Sequence, residues 1–469
     1  MKKMREKAPF LVALLPIFVL AILLIAGFGI YRYSVEVLLL IAAAFAAIVA
    51  WAYGTTWNEM SDAIADKVGK AFMAIFIFVF VGMLIGTWML SGTIPMMIYY
   101  GLKLLSPSLF LVSAFFITAI VSICTGTSFG SVGTVGLALI GVAAGLGIDL
   151  AAAAGAIISG AYLGDKQSPL SDTTNLAPVA AGCTLFEHIG HMLYTTIPIS
   201  LVCTVVYLMA GRSEAVVSNV DIGTTTEMMK NLASLFHFNI LLLLPVVIIL
   251  VGSVIGKPPI PVMFVSSIVA GILAMSLQGC GLSDFMNASF SGFKLSMVTA
   301  NTDAIPKSMF NLLERGGMTS MMTTLLKVLC AFAFAGIMGA AGFLEIILEK
   351  LKTFVKSDGS LVFVTVISTV VIGIVAGNAY IPILLGGELF KDAFRDRNLQ
   401  AKNLSMILED AGTVVIPLIP WAAGGAYMAS TLGVATSSYF PWAVLCWMGP
   451  LVATIYGFTG FGLKRITPQ

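Results

Sequence analysis

The segment 164–178, "GDKQSPLSDTTNLAP", concentrates polar side chains in a chain that is almost wholly apolar on either side of it. Carboxylate, hydroxyl and amide carbonyl oxygens recur in it at close spacing, and hard cations prefer such ligands in proteins. The residues concerned are Asp165, Ser168, Ser171, Asp172, Thr173, Thr174 and Asn175. We therefore predict a cation site, with sodium as the ion and Ser171, Asp172, Thr173 and Asn175 as its ligands. A polar loop in water, with an aspartate capping the next helix, is the alternative interpretation.

A second set of candidate residues lies in two glycine-rich segments and in a proline-containing segment of the second half. These are Thr127 and Ser128 in "CTGTSFG", Asn378 in "AGNAYI", and Glu409, Asp410, Thr413 and Trp421 in "LEDAGTVVIPLIPW". Carboxylates in an apolar setting are costly, so they tend to be paired, hydrated or functional. We expect Asp165 or Glu409 to carry a proton. The alternatives are helix-packing polarity, neutralisation of Asp165 or Asp172 by Lys166, and pairing of the two later acids with Lys402.

One histidine pair also has a spacing that could do chemistry. His188 and His191 share a helix face next to Glu187, and two histidines with one glutamate could hold zinc. No further ligand is apparent nearby, so a helix at the membrane interface is the favoured interpretation.

The elements that must position these residues are membrane helices. Of the 469 residues, 59% are hydrophobic and 10% are charged, whereas soluble domains carry about 25% charged residues. Apolar runs recur at close to the ~20 residues that a spanning helix needs. We predict one all-α polytopic membrane domain, with the lipid bilayer as its partner. The run "GTSFGSVGTVG" lacks the lysine of a phosphate loop, so the sequence predicts neither ATP-driven pumping nor a cofactor, and nucleic acid is not an expected partner.

The halves of the chain repeat each other. The matched positions are Gly82 with Gly336, Gly126 with Gly377, and Pro169 with Pro417. A basic loop follows the second copy's glycine-rich break, whereas the equivalent loop of the first copy has no lysine or arginine, so the copies should lie in opposite orientations. Inverted repeats are typical of secondary transporters. The predicted boundaries are 8–210 for the first repeat, 211–235 for a linker and 236–460 for the second repeat.

Each copy carries a glycine-rich break followed by a proline-containing break. Proline opens a helix, and an opened helix survives in lipid only where protein or a water-filled cavity satisfies the backbone. Four interrupted segments should therefore meet at one place and expose carbonyls, amides and helix ends there. Whether the glycine-rich segments at 124–136 and 375–387 are re-entrant hairpins or broken crossings is open at this stage.

Two long motifs resemble those of the NhaC family of sodium/proton antiporters. They are "GAYLGDKQSPLSDTTNLAP" and "LEDAGTVVIPLIPW" with "GGAYMASTLGV". The resemblance implies a scaffold domain, a moving transport domain and sodium/proton exchange, or exchange of organic acids such as malate and lactate in some relatives. One departure stands at Ala422, Ala423 and Gly424, where the family typically has polar residues. Smaller side chains there would leave room for a larger solute.

We conclude that the sequence predicts a secondary active transporter of the sodium/proton antiporter type, with sodium and protons as the transported or coupling ions. The alternative is a coupled transporter of an amino acid or carboxylate. An intramembrane hydrolase using Asp165 and Asp172 is disfavoured, because a second catalytic motif is absent and Lys166 is adjacent. We expect the bacterial inner membrane, with both termini in the cytoplasm, and a homodimer is one assembly compatible with the sequence.

Overall fold

The computed structural model describes residues 8–31, 33–213, 222–302 and 305–466, and these form helices and turns without a β-strand. The basic residues Lys2, Lys3, Arg5 and Lys7, from which a cytoplasmic N-terminus is expected, lie outside the described residues, as does the part 214–221 of the predicted 211–235 linker. The all-α prediction is confirmed.

Twenty-three α-helices succeed one another. They are α1 Phe10–Ile22, α2 Val35–Ala52, α3 Trp57–Ser91, α4 Thr93–Leu104, α5 Phe110–Thr125, α6 Ser128–Ser131, α7 Leu137–Gly145, α8 Leu150–Gln167, α9 Asp172–Ala181, α10 Leu185–Ala210, α11 Ile222–Leu235, α12 Leu244–Val254, α13 Pro259–Leu277, α14 Leu282–Ser291, α15 Lys307–Leu313, α16 Met322–Ala340, α17 Phe343–Lys352, α18 Asp358–Ala376, α19 Tyr380–Asp396, α20 Ala401–Gly412, α21 Ala423–Leu432, α22 Thr436–Tyr439 and α23 Val444–Thr459. Leu23–Ile30 and Val132–Gly136 are π-helical, and the latter joins α6 to α7. This count covers the described ranges only.

The helices suit a multi-pass membrane protein. Eight helical segments in the described part are long and apolar enough to cross a bilayer, and twelve are if each bent helix pair counts as one span. The four bent pairs turn by 45° to 101° at breaks of a few residues. One of them joins α20 to α21, so the interruption predicted at Pro417 is present.

The first glycine-rich break is a helical hairpin. α5 ends at Gly126, whose φ of +66° suits a residue without a Cβ atom, and α6 begins at Ser128. Gly160 packs on Phe115 and Gly164 on Ala119 and Ile123, so α5 runs parallel to α8. Gly136 packs on Ile157, and Ser128 lies by Asp165, so α6 and α7 run back in the opposite direction. The hairpin tip therefore lies beside the interruption between α8 and α9.

The second half repeats this arrangement. α18 ends at Gly377, whose φ is +68°, and α19 then runs antiparallel to α20, because Gly386 packs on Leu408 and Gly412 on Pro382. The tip is tied to the α20–α21 interruption by a 2.8 Å hydrogen bond that the Ala423 amide donates to the Gly377 carbonyl. Both glycine-rich breaks are thus hairpins.

The two interrupted helix pairs run in opposite directions. Near the end of α9, the Cys183 thiol donates to Ser405 Oγ on α20 at 3.4 Å. In the middle of α8, Ser159 Oγ accepts from the Leu445 amide on α23, also at 3.4 Å. The chain from Ser159 to Cys183 is therefore antiparallel to the chain from Ser405 to Leu445, as an inverted repeat requires.

The outer helices pack across the halves. α3 and α16 lie against each other at the centre, α2 packs along α16, and α13 packs along α3. Each half therefore covers its central helix with helices from the other half of the chain.

Candidate functional site

The four interrupted segments line one cavity of about 390 Å³. The first hairpin tip contributes 125–129, the first proline break 170–173, the second tip 378–380, and the second break Thr413, Ile416, Ala423 and Gly424. Cavities that hold small solutes are commonly of about 300–1,000 Å³, so this one can hold more than a single dehydrated ion.

Two carboxylates reach the cavity, from the two sides of the first break. Asp165 lies in the last turn of α8 and is 7% exposed, and Asp172 is the first residue of α9. The hydroxyls of Ser128 and Ser171 face the Asp165 carboxyl. Oxygen atoms from three segments therefore converge, which gives the cavity the ligand chemistry that a hard cation requires.

Thr173 connects the cavity to a third acid. Its hydroxyl lies 3.2 Å from Ser171 Oγ and donates to Glu409 Oε1 at 3.1 Å. Glu409 is fully buried, and its Oε2 has no hydrogen-bond partner among the described residues. Glu409 therefore lies behind the cavity wall rather than in it.

Asp410 is held by Lys166, which corrects the expected partners of both. Lys166 Nζ lies 2.5 Å from Asp410 Oδ1 and donates to Thr195 Oγ1 at 3.4 Å, and both charged side chains are buried. The alternative interpretations of the sequence paired Lys166 with Asp165 or Asp172, and Lys402 with the two later acids. The antiparallel arrangement of α8 and α20 places the last turns of these helices together instead.

Four other predicted residues use their polar groups on the backbone. Ser168 Oγ donates to the Ile123 carbonyl, Thr174 Oγ1 to the Asp165 carbonyl, Asn175 Nδ2 to the Pro169 and Ser171 carbonyls, and Trp421 Nε1 to the Ile374 carbonyl. These bonds hold the proline breaks open in a fixed shape. The amide carbonyl of Asn175 is not used in them, so its role as a cation ligand stays a prediction.

The four remaining predicted residues lie in the cavity wall, and two of them also make hydrogen bonds at the beginnings of helices. Thr127, Ser128, Asn378 and Thr413 line the cavity. Thr127 also caps α6, and Asn378 Oδ1 accepts from the Tyr380 and Ile381 amides at the beginning of α19.

The candidates named from the sequence leave out five polar side chains that line the cavity. They are Thr125, Tyr162, Ser253, Lys257 and Tyr380. Tyr162 lies three residues before Asp165 on α8, so helical periodicity gave a signal for it. Lys257 comes from the loop between α12 and α13, far from every motif, and no local pattern marks it.

The region of small residues lies where the sequence predicted extra room. Ala423 and Gly424 line the cavity, whereas Ala422 is fully buried against Ile416 and Ile419. A Cβ atom on Gly424 would lie 2.8 Å from both Tyr162 Oη and Ile416 Cγ2. This glycine therefore sets the width of the cavity at that point.

Replacing Gly126 with alanine should destabilise the protein more than the same change at Gly54. Both glycines have positive φ, but a Cβ at Gly126 would meet Leu170 Cβ at 2.6 Å, whereas within 4 Å of Gly54 no atom of the described chain stands. We expect about 1–2 kcal/mol from the backbone conformation in both, and about 1–3 kcal/mol more from overpacking at Gly126. Thermal unfolding in detergent measures the difference in stability. Equal losses of stability in the two variants would contradict the packing of the first hairpin tip on the α8–α9 interruption.

Known proteins with similar sequences are membrane antiporters. A sequence model described as the Na+/H+ antiporter family matches residues 160–461. An uncharacterised Na+/H+ antiporter of Haemophilus influenzae is 47% identical over 96% of both chains. The Na+/H+ antiporter NhaC of Alkalihalophilus pseudofirmus is 37% identical over 98% of both chains. The arginine/ornithine antiporter ArcD of Halobacterium salinarum is 33% identical over 99% of this chain and 95% of its own.

Proposed function

Because this chain belongs to the Na+/H+ antiporter family, we propose that it is a secondary active transporter that exchanges sodium ions for protons. The observation that supports this most directly is the cavity that all four interrupted segments line, with Asp165 and Asp172 in its wall. The NhaC resemblance of its two long motifs is confirmed by the family match, and the protein is a multi-pass membrane protein.

We assign the sodium ion to the first break. Ser171, Asp172 and Thr173 supply oxygen atoms at the cavity, and Asn175 adds an amide carbonyl one turn along α9. Asp172 supplies the negative charge that offsets the loss of the ion's hydration. The ion is cargo, so the site must also release it, which a cavity open to water allows.

We assign the proton to Asp165 or Glu409. Asp165 lies in the same wall as the sodium ligands, so a proton and a sodium ion would compete for it directly. Glu409 would sense the sodium ion through Thr173, whose hydroxyl contacts both Ser171 in the cavity wall and Glu409 behind it. A proton on Asp165 would use the sodium site in turn with the ion, whereas a proton on Glu409 would be coupled to the ion through the Thr173 hydroxyl.

Alternating access follows from the repeat. The two hairpins and the two interrupted pairs would move together as a transport domain against the remaining helices, exposing the cavity to each side in turn. We place the protein in a bacterial inner membrane with both termini in the cytoplasm, where the basic residues after α19 would also lie.

Reconstitution into liposomes tests this function. With sodium inside and none outside, the purified protein should acidify the lumen, because sodium leaves as protons enter. Potassium in place of sodium is the control. A lumen whose pH does not respond to sodium would exclude the exchange.

A second candidate is the coupled exchange of an amino acid. The cavity exceeds the needs of a dehydrated sodium ion, its wall carries two carboxylates that could bind a cationic group, and one relative is named an arginine/ornithine antiporter. A carboxylate solute such as malate or lactate has less support, because Lys257 is the one lysine or arginine among the described residues that line the cavity.

Replacing Gly424 with alanine separates the two candidates. If an organic solute fills the cavity, the added methyl group should weaken its binding about tenfold, consistent with overpacking costs of 1–3 kcal/mol, while sodium binding stays within twofold. Thermal-shift titrations with sodium, arginine, ornithine and malate measure both. Gly339→Ala, which has open space in the described structure, is the control. A wild-type protein that responds to sodium alone would exclude the second candidate.

A further inference from the structure

Buried polar atoms without a partner concentrate on one side of the cavity. Within the described ranges, seven buried side-chain nitrogen or oxygen atoms lack a hydrogen-bond partner. Five of them belong to His188, His191, Glu409, Asp410 and Thr413. Buried polar groups are normally satisfied, so a group of unsatisfied ones in one region requires an explanation.

The two histidines are buried inside the protein and not at its surface. His188 is fully buried and His191 is 3% exposed. That their helix lies at the membrane interface stays a prediction. Nδ1 of His188 lies 2.8 Å from Ser405 Oγ on α20. Nε2 of both rings has no partner in the described chain. Metal binding does not account for them, since no cluster of three or more suitable ligands occurs in the described residues.

The region extends from the protein's end towards the cavity. α10 begins beside the beginning of α20, where Thr184 and Glu187 are exposed. His188 lies one turn inside, and Thr195, which accepts from Lys166, lies on the same helix about 10 Å further on. Lys166 faces His188 and pairs with Asp410. Imidazole, ammonium and carboxylate groups therefore follow one another along the contact between α8, α10 and α20.

We propose that His188 and His191 form a proton route between this end of the protein and the Lys166–Asp410 pair. A neutral imidazole can take up a proton at one ring nitrogen and release a different proton from the other, so the ring moves one proton without net change. On this route the proton enters from the side of Ser405 and His191, and leaves from Nε2 of His188 towards Asp410 Oδ2. The inference rests on the proposed exchange of sodium for protons, and it gives the proton an access path separate from the cavity.

The charged groups that face the two histidines are cationic. Lys402 of α20 and Lys464 of the C-terminal segment face His191 together with the Asn403 side chain. The Tyr194 ring lies 5.3 Å from the His191 ring, centroid to centroid. Lys166 of α8 faces His188, and Cys183 shares Ser405 with it. These cations oppose a lasting positive charge on either ring, so each imidazole passes the proton on and returns to its neutral form, and Asp410 is the acid at the inner end of the route.

The test compares two exchange reactions in proteoliposomes. His188→Asn keeps a hydrogen-bonding group near Ser405 but cannot titrate. We expect sodium/proton exchange to fall at least about tenfold, because positioned proton-transfer groups contribute 10²–10⁴-fold. Sodium/sodium exchange at equal pH needs no proton and should stay within twofold of wild type. His237→Gln is the matched control, because His237 is the third histidine of the chain and is exposed.

Each outcome decides between distinct conclusions. Sodium/proton exchange within twofold of the His237→Gln control would overturn the route, and so would equal loss of both exchanges in a folded His188→Asn protein. A wild-type protein without sodium-dependent acidification would instead refute the proposed function. If His188→Asn does not fold, nitrogen NMR of the His237→Gln protein decides whether the route exists. This variant retains only the two buried histidines, so the exchange of their ring protons with solvent can be measured. An imidazole of His188 that does not exchange its proton with solvent would overturn the route.

Discussion

Asp172→Asn should weaken sodium binding roughly a hundredfold and abolish measurable sodium-driven proton movement at low sodium. The change removes one negative charge at the cavity while keeping the size of the side chain. Two unit charges at 4 Å attract each other by about 4 kcal/mol at an effective dielectric constant of 20, and part of this is offset by hydration. A net loss of about 2.7 kcal/mol corresponds to a hundredfold change in affinity.

The measurement is a sodium titration of luminal pH in liposomes. Asp392→Asn is the control, because Asp392 is exposed near the end of α19 and its ion pair with Arg395 is exposed as well. The variant should regain part of its activity at high sodium, since its defect is one of affinity. An Asp172→Asn protein whose sodium dependence equals that of the control would remove Asp172 from the site.

Breaking the Lys166–Asp410 pair should have the largest effect on stability. Asp410→Leu leaves the Lys166 ammonium buried without its counter-ion, and Lys166→Met does the same to the carboxylate. Removing one partner of a buried pair commonly costs about 3–5 kcal/mol, whereas replacing both with apolar side chains is often neutral. The double variant should therefore be more stable than either single variant.

Thermal unfolding in detergent measures this cycle. Lys294→Met is the reference, because Lys294 pairs with Glu314 at 3.0 Å with 56% of its side chain exposed, and such pairs contribute about 0–1 kcal/mol. Equal stabilities of Asp410→Leu and Lys294→Met would show that the buried pair does not stabilise the contact between the halves. A double variant that is stable but inactive would assign the pair to transport.

The sequence predicted the fold and eight of the polar side chains that line the cavity, since both depend on local signals. Gly126 and Gly377 mark left-handed helix ends, and Pro169 and Pro417 mark the interruptions. Thr127, Ser128, Asp165, Ser171, Asp172, Thr173, Asn378 and Thr413 were all named as candidates and line the cavity. The apolar runs identified the spanning helices, because a helix that is surrounded by lipid can be recognised from the length and apolar composition of its sequence alone.

What the sequence did not predict is which distant groups meet. Lys166 has acids on both sides of it in the sequence, yet it pairs with Asp410 on an antiparallel helix. Lys257 reaches the cavity from a loop that carries no motif. The burial of His188 and His191 depends on how α10 packs on α8 and α20. The local sequence, in which Glu187 is exposed, gives no sign of this burial.

The reciprocal packing of the outer helices has a consequence for how the protein is made. α2 lies along α16, but α16 is translated only in the second half of the chain. At about 5–20 residues per second, synthesis leaves α2 without this neighbour for on the order of ten seconds or more. During that time α1 and α2 must remain in the bilayer as a helical hairpin supported by lipid, which their long uncharged stretches permit. The N-terminal helices are therefore inserted in the membrane before they can pack fully, and their packing is completed only after α16 has been synthesised.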